Sequence, residues 1–283
     1  MTLDETDQEQ FEEDVFIFPA SFAQQRLWFV EQMISGDSLY VIPLVFRLTG
    51  SLHRSHLNQS IRAIVRRHEI FRTAFHVVDE HLVQVIAHDL QAPLKVTDLR
   101  ALPASTREDA ALNQIWQEIQ QPFHLDKGLL FRVQLWQLRD DEHLLMMALH
   151  HIIFDEWSSG VLIRELGELC AAFVEDKSAV LPELAIQYAD FAHWQREWLQ
   201  GEVLNTQLCY WKQQLKDVSI LNLPGAVSRS SVQNHRGASQ LLELPQSLLA
   251  ALEELSQKTG VTLFMTLLTA FQTLLHRYSR VVG

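Results

Sequence analysis

The sequence predicts an α+β sandwich, a mixed sheet packed with helices. Three observations carry this. Helical and extended hydrophobic periods alternate irregularly along the chain. The extended segments fall in pairs joined by short turns, as in hairpins, rather than in strict strand–helix–strand crossovers. With 283 residues and 47% hydrophobic content, the chain can bury one large core or two smaller ones.

Taken in order, the opening MTLDETDQEQFEED has seven acids and no base. This is the reverse of a signal peptide and predicts a disordered acidic tail over residues 1–14. SFAQQRLWFVEQM reads as a helix with Ser21 as its N-cap. YVIPLVFRLTG reads as a strand that Pro43 places at an edge or a start. HLNQSIRAIVRRHE spaces Leu57, Ile61, Ile64 and Val65 as a second helix. FRTAFHVV and HLVQVIA form a hairpin whose turn lacks the usual glycine.

Ser105 and Glu108 have the spacing of a capping box at the head of a helix that ends before Pro122. FRVQLWQL and HLLMMALHH form a second strand pair. SSGVLIRELGELCAAF then places Leu162, Leu166, Leu169 and Phe173 on one helical stripe. KSAVLPELAIQY, centred on Pro182, reads as a link between lobes over 15–180 and 181–283. Two helices, a strand at SQLLELP and two further helices follow.

Several classes of function are disfavoured. A formal charge of −12 argues against nucleic acid as a partner. No uninterrupted apolar run reaches 18 residues, so no membrane span is expected. Cys170 and Cys209 have neither zinc-site nor disulfide-framework spacing, and a cytoplasmic setting is expected. There is no GxGxxG, GxxxxGK or GxSxG.

The chemistry concentrates at HHIIFDEWSSG, where an apolar strand ends in His150 and His151. Strand alternation sends the two rings to opposite faces, so they are not expected to share one metal ion. His151 and Asp155 would converge only across a helical turn, and no second ligand pair supports a metal site. Asp155 stands where a helix begins and is expected to cap it, its charge held by a buried arginine. Ser158 and Ser159 start that helix, and Trp157 lies beside them. The pattern suits one mobile base and one fixed carboxylate, although HxxxD alone recurs by chance in many proteins.

Three further segments make the pattern specific. SFAQQRLWFVEQM, RRHEIFRTAF, HHIIFDEWS and YADFAHWQ stand in the order of four motifs of the condensation domains of nonribosomal peptide synthetases, which this chain resembles from about Phe18 onward. Its sequence is most similar to the subtype that joins an L-configured donor to an L-configured acceptor. The resemblance implies a chloramphenicol-acetyltransferase-like fold in two lobes. It also implies attack of an acceptor amine on a donor thioester, both presented on phosphopantetheine by carrier domains, with an adenylation domain adjacent and no cofactor bound by the chain itself.

His151 is then the expected base or amine-positioning group, and His150 is expected to be chiefly structural. Asp155 is expected to pair with Arg72, with Trp157 and Ser158 packed in support. Glu156 departs from the family's usual glycine. The family pattern also continues beyond RYSRVVG, so a partial second lobe is expected. Alternatives are a noncatalytic remnant that docks a carrier domain, or a stand-alone thioester-dependent acyltransferase.

Overall fold

A computed structural model describes residues 15–33, 39–90, 92–177, 181–219, 221, 223 and 240–279. The predicted tail over 1–14 lies outside the described residues. The chain divides into two compact units, Met1–Val203 and Leu204–Gly283.

The first unit holds two sheets. Strands β1 (Val15–Pro19), β4 (His81–Ala87) and β3 (Thr73–Val78) form an antiparallel sheet with β4 at its centre. The second sheet runs β2 (Val41–Thr49), β7 (Glu142–His150), β6 (Phe131–Arg139), β5 (Lys95–Asp98), antiparallel except for the β5–β6 pair. Pro43 lies on the edge strand β2, as its missing N–H requires. The β3–β4 hairpin turns through Asp79 and Glu80 at φ 49° and 64°. Both are left-handed, so the turn takes the primed geometry without glycine. The hydrophobic pattern predicts no strand at β1 or β5: β5 is only four residues long and largely exposed, so it lacks a buried pattern.

Eight of the nine residues of β7 are buried, because β2 and β6 flank it and helices cover it. Helix α2 (Arg54–Arg67) packs against α4 (Glu156–Val174) and buries Leu57, Ile61, Ile64 and Val65. Helix α3 (Arg107–Ile119) packs on β6 and β7 through Ala111 and Ile115, and its Gln114 accepts a 2.8 Å hydrogen bond from the fully buried Trp136. The capping box expected at Ser105 and Glu108 does not form. The N-cap is Thr106, in helical conformation, and its hydroxyl donates back to the Pro103 carbonyl at 3.0 Å. Helix α1 (Phe22–Met33) does begin at Ser21: Gln24 N–H donates to Ser21 Oγ at 3.2 Å, and Ser21 N–H donates to Gln24 Oε1 at 2.9 Å.

The first unit continues past the expected link at Pro182 as far as Val203, because α5 (Tyr188–Trp198) packs on β1. The unit division falls inside α6 (Gly201–Gln214). In the second unit, α7 (Gln246–Thr259) and α8 (Leu263–Ser279) form a helical hairpin. Gly260, at φ 68°, closes α7, and Ser256 and Thr266 hydroxyls meet at 2.7 Å across the turn. The strand expected at SQLLELP is absent over the described residues 240–245. Leu241 and Leu242 are exposed there, with no neighbouring strand among the described residues to complete a ladder.

Candidate active site

Strand β7 ends at His150, and the chain turns at once. His150 N–H donates to the Leu130 carbonyl at 3.0 Å, and His151 N–H to the Tyr40 carbonyl at 2.8 Å. The backbone at the two histidines is therefore held from both neighbouring strands. The next three side chains, Ile152, Ile153 and Phe154, are all buried. His151 and Asp155 alone in this stretch point to solvent. Burial of the apolar trio fixes the turn and leaves the two polar groups outside.

The two histidines differ sharply. His150 is 1% exposed, with its ring set between Tyr40 and Phe123 at centroid distances of 6.1 Å. Its Nδ1 accepts the Ile152 N–H at 3.0 Å, which requires the proton to sit on Nε2. Glu31 Oε2 lies 3.7 Å from that Nε2. Burial, reinforced by the neighbouring His151, pushes the His150 pKa down to about 4. His150 is thus a neutral ring with its acceptor nitrogen occupied. His151 sits edge-on to Tyr40 at 6.4 Å and faces solvent.

Asp155 is the N-cap of α4. Its Oδ1 accepts from Ser158 N–H at 2.8 Å and from Ser158 Oγ at 2.6 Å. These bonds, helped by His151, hold its carboxyl below the usual carboxylate range. The expected ion pair with Arg72 does not form, and Asp155 is exposed. Among the described residues no arginine reaches it. Arg72 instead donates to the carbonyls of Ala87, of His88 at 3.2 Å and of Val65 at 3.3 Å. It gathers acceptors left open at the end of α2 and β4. The buried carboxylate of this region is Glu165 on α4, which accepts from His68 Nε2 at 2.7 Å and lies 3.2 Å from Arg67 Nε. Trp157 is 84% exposed, so it does not supply the packing expected of it. Glu156 is exposed at the first helical position of α4.

The first, second and fourth motif segments hold one another. Tyr188 Oη and Ser21 Oγ meet at 3.0 Å, Gln195 Oε1 accepts from Phe22 N–H at 3.0 Å, and Arg196 donates to the Ala20 carbonyl at 2.8 Å. Gln187 Nε2 donates to the Arg67 carbonyl at 3.0 Å, and Gln187 Oε1 accepts from Glu69 N–H at 3.2 Å. Sequence reasoning misses Gln24, Gln84, Glu165 and Gln187. Two of them leave a legible trace: Gln84 interrupts the apolar run HLVQVIA, and Glu165 stands on the leucine stripe of α4. Among the described residues, no group of three His, Cys, Asp or Glu side chains is placed to hold a metal. Nor is any single described helix long and apolar enough to cross a membrane.

Two sheets packed with helices, a histidine pair closing the central strand and a capped helix behind it define a condensation domain with the chloramphenicol-acetyltransferase-like fold. The sequence profile of the family described as "Condensation domain" matches residues 16–282, and the chain belongs to that family. Its members in nonribosomal peptide synthetases are acyltransferases that form amide bonds.

A linear gramicidin synthase of Brevibacillus parabrevis is 46% identical over 262 residues, covering 92% of this chain and 5% of that protein. Phosphinothricin tripeptide synthetase PhsC of Streptomyces viridochromogenes is 42% identical, covering 92% of this chain and 24% of the synthetase. The chain therefore spans less than a quarter of either relative. Among solved structures, the four-domain nonribosomal peptide synthetase AB3403 superposes with a TM-score of 0.78 at 23% identity, over 95% of this chain and 20% of that one. The first condensation domain of the CDA synthetase gives 0.73 at 17% identity, over 94% and 63%.

Proposed function

We propose that this chain catalyses attack of an acceptor aminoacyl amine on a donor acyl or peptidyl thioester, each tethered to the phosphopantetheine of a carrier domain in a multidomain synthetase in the cytoplasm. The observation that supports this reading most is the contrast at the end of β7. One histidine is locked, neutral and buried, and the next is presented to solvent on a turn clamped from beneath.

His151 is the catalytic residue in this reading. As the amine nitrogen forms its bond to the thioester carbonyl carbon, it loses a proton to the imidazole. As the C–S bond breaks, the sulfur leaves as a thiol by taking up a proton. An imidazole suits this exchange, because its reference pKa of about 6.5 lies near the value of about 7.7–8 for an α-amino group. Tethering both reactants supplies much of the rate by proximity. His150 acts through structure, with Asp155 and Ser158 fixing the start of α4 and Arg72 the end of α2.

The test supplies the protein with a donor and an acceptor carrier domain, each loaded, and follows the amide product by mass spectrometry. Product that depends on both carriers supports the reading. Hydrolysis of the donor with no amide, or transfer to a free thiol in place of the amine, would replace it with a hydrolase or a stand-alone acyltransferase.

A further inference from the structure

Two fully buried glutamines, Gln24 of the first motif segment and Gln84, which lies outside all four, stand behind the turn that carries His151. Gln84 lies on the central strand β4, opposite Phe18 on one side and Phe75 on the other, and is 0% exposed. Gln24, on the first turn of α1, is 1% exposed. A primary amide buried this completely is costly unless its donors and its acceptor are met.

Here they are met in one order only. Gln84 Nε2 donates to the Pro19 carbonyl at 3.0 Å, which turns its Oε1 toward Gln24. Gln24 Oε1 accepts the Ser21 N–H at 2.9 Å, which turns its Nε2 inward. That Nε2 donates to Gln84 Oε1 at 3.1 Å and reaches the Ile152 carbonyl at 3.5 Å. Flipping Gln84 would set donor against donor or acceptor against acceptor at two contacts, and flipping Gln24 would do so at three. Both backbone polar groups of Ile152 are thereby engaged, its N–H by His150 and its carbonyl, at 3.5 Å, by Gln24, so the peptide on either side of this residue has a side-chain partner.

We propose that Gln84 and Gln24 form a buried amide relay that acts as a positioning device for His151: Gln84 fixes the orientation of Gln24, Gln24 holds the Ile152 carbonyl, and the Ile152 residue, held there and at its N–H, aims the exposed histidine that precedes it. Gln84 lies far from the histidine pair in sequence, and its side-chain hydrogen bonds go to Gln24 and Pro19. Its influence is transmitted through hydrogen-bond orientation. The consequence for catalysis rests on the role of His151 proposed above, whereas the hold on the turn does not.

The experiment separates the two. Hydrogen exchange of the full chain is followed at residues 150–155 and, as an internal reference, at residues 142–148 of the same strand, for Gln84→Met, Gln24→Met and the double variant. The relay predicts exchange at 150–155 faster by about tenfold or more in each single variant, with the reference unchanged. It predicts that the double variant goes no further than the worse single one.

In the carrier-loaded assay, kcat should fall about tenfold at unchanged KM, the signature of a misaimed group rather than lost binding. Faster exchange with unchanged kcat would leave the relay standing and remove His151 from the reaction. Unchanged exchange at 150–155, additive effects in the double variant, or a uniform loss of protection including unfolding of both single variants would overturn the relay and reduce the glutamines to core filling. Should Gln84→Met alone fail to fold, Gln24→Met carries the same test.

Discussion

His150 Nδ1 accepts the backbone N–H of Ile152, two residues ahead, at 3.0 Å. This bond ties the last side chain of the central strand to the turn that follows it. It explains why the strand ends in two histidines. The first supplies an acceptor inside the core that no aliphatic residue provides, and the second is left outside on the turn so fixed.

The pair separates cleanly under mutation. His151→Ala should lower amide formation by about 10²- to 10⁴-fold, the usual contribution of a positioned acid–base group. Because His151 is exposed, its removal should change stability by no more than about 0.5 kcal/mol. Product analysis with loaded carriers and a urea titration check the two halves. Full activity in a folded variant would exclude His151 from the chemistry.

His150 makes stability depend on pH. Its folded pKa of about 4 lies below the reference value of 6.5. Unfolded chains thus bind the proton first as pH falls. The stabilisation is complete above about pH 6.5 and is lost progressively down to about pH 4, amounting to about 3 kcal/mol for a shift of this size. His150→Asn keeps an acceptor for the Ile152 N–H and removes the titration. The difference in unfolding free energy between wild type and variant should therefore shrink from pH 7 to pH 4. A constant difference would place the titration elsewhere.

Asp155→Ala should cost about 1 kcal/mol, the value of a lost N-cap, rather than the several kcal/mol of a broken buried ion pair. Its folded carboxyl is held below the reference value of 3.8. The cap is therefore fully effective above about pH 4 and fades only as pH falls through the depressed folded value. Thermal unfolding of the two proteins should differ by the same amount from pH 5 to pH 8 and converge in stronger acid.

Glu165→Ala should be the more damaging acid substitution. Its side chain is 6% exposed and meets both Arg67 and His68. Removing it leaves the Arg67 guanidinium, 18% exposed, without its counter-charge and His68 Nε2 without its hydrogen-bond partner, at a cost of up to about 3 kcal/mol. Denaturant midpoints for Glu165→Ala and Asp155→Ala, compared side by side, should rank in that order. Equal midpoints would mean that solvent already screens Arg67 and His68.

The periods in the chain determined the helices α1, α2 and α4 and the pairing of β3 with β4 and β6 with β7, because a face that must be buried repeats at the spacing of its element. Ser21 as a cap, Pro43 on an edge and the opposite environments of His150 and His151 were legible for the same reason: each rests on local backbone geometry. The partners of charged groups were not legible. Asp155 looked like the residue that Arg72 would hold, yet Asp155 spends its carboxylate on Ser158, three residues away, while Arg72 finds carbonyls of α2 and β4. A cap such as that of Asp155 is made within the first turn of its own helix, whereas an ion pair needs two distant elements to arrive at one point, and only the packed chain decides that. The strand expected near Leu241 failed on the same principle, since a period offers an element and a neighbour must accept it, whereas the capping box expected at Ser105 failed locally, because the helix starts one residue later with Thr106 as its N-cap. Gln24 and Gln84 stand at the far end of this scale. Sixty residues apart, they become one hydrogen-bonded unit only because the end of β1, the first turn of α1, β4 and the turn after β7 converge, and tertiary structure alone turns two buried amides into a support for the histidine turn.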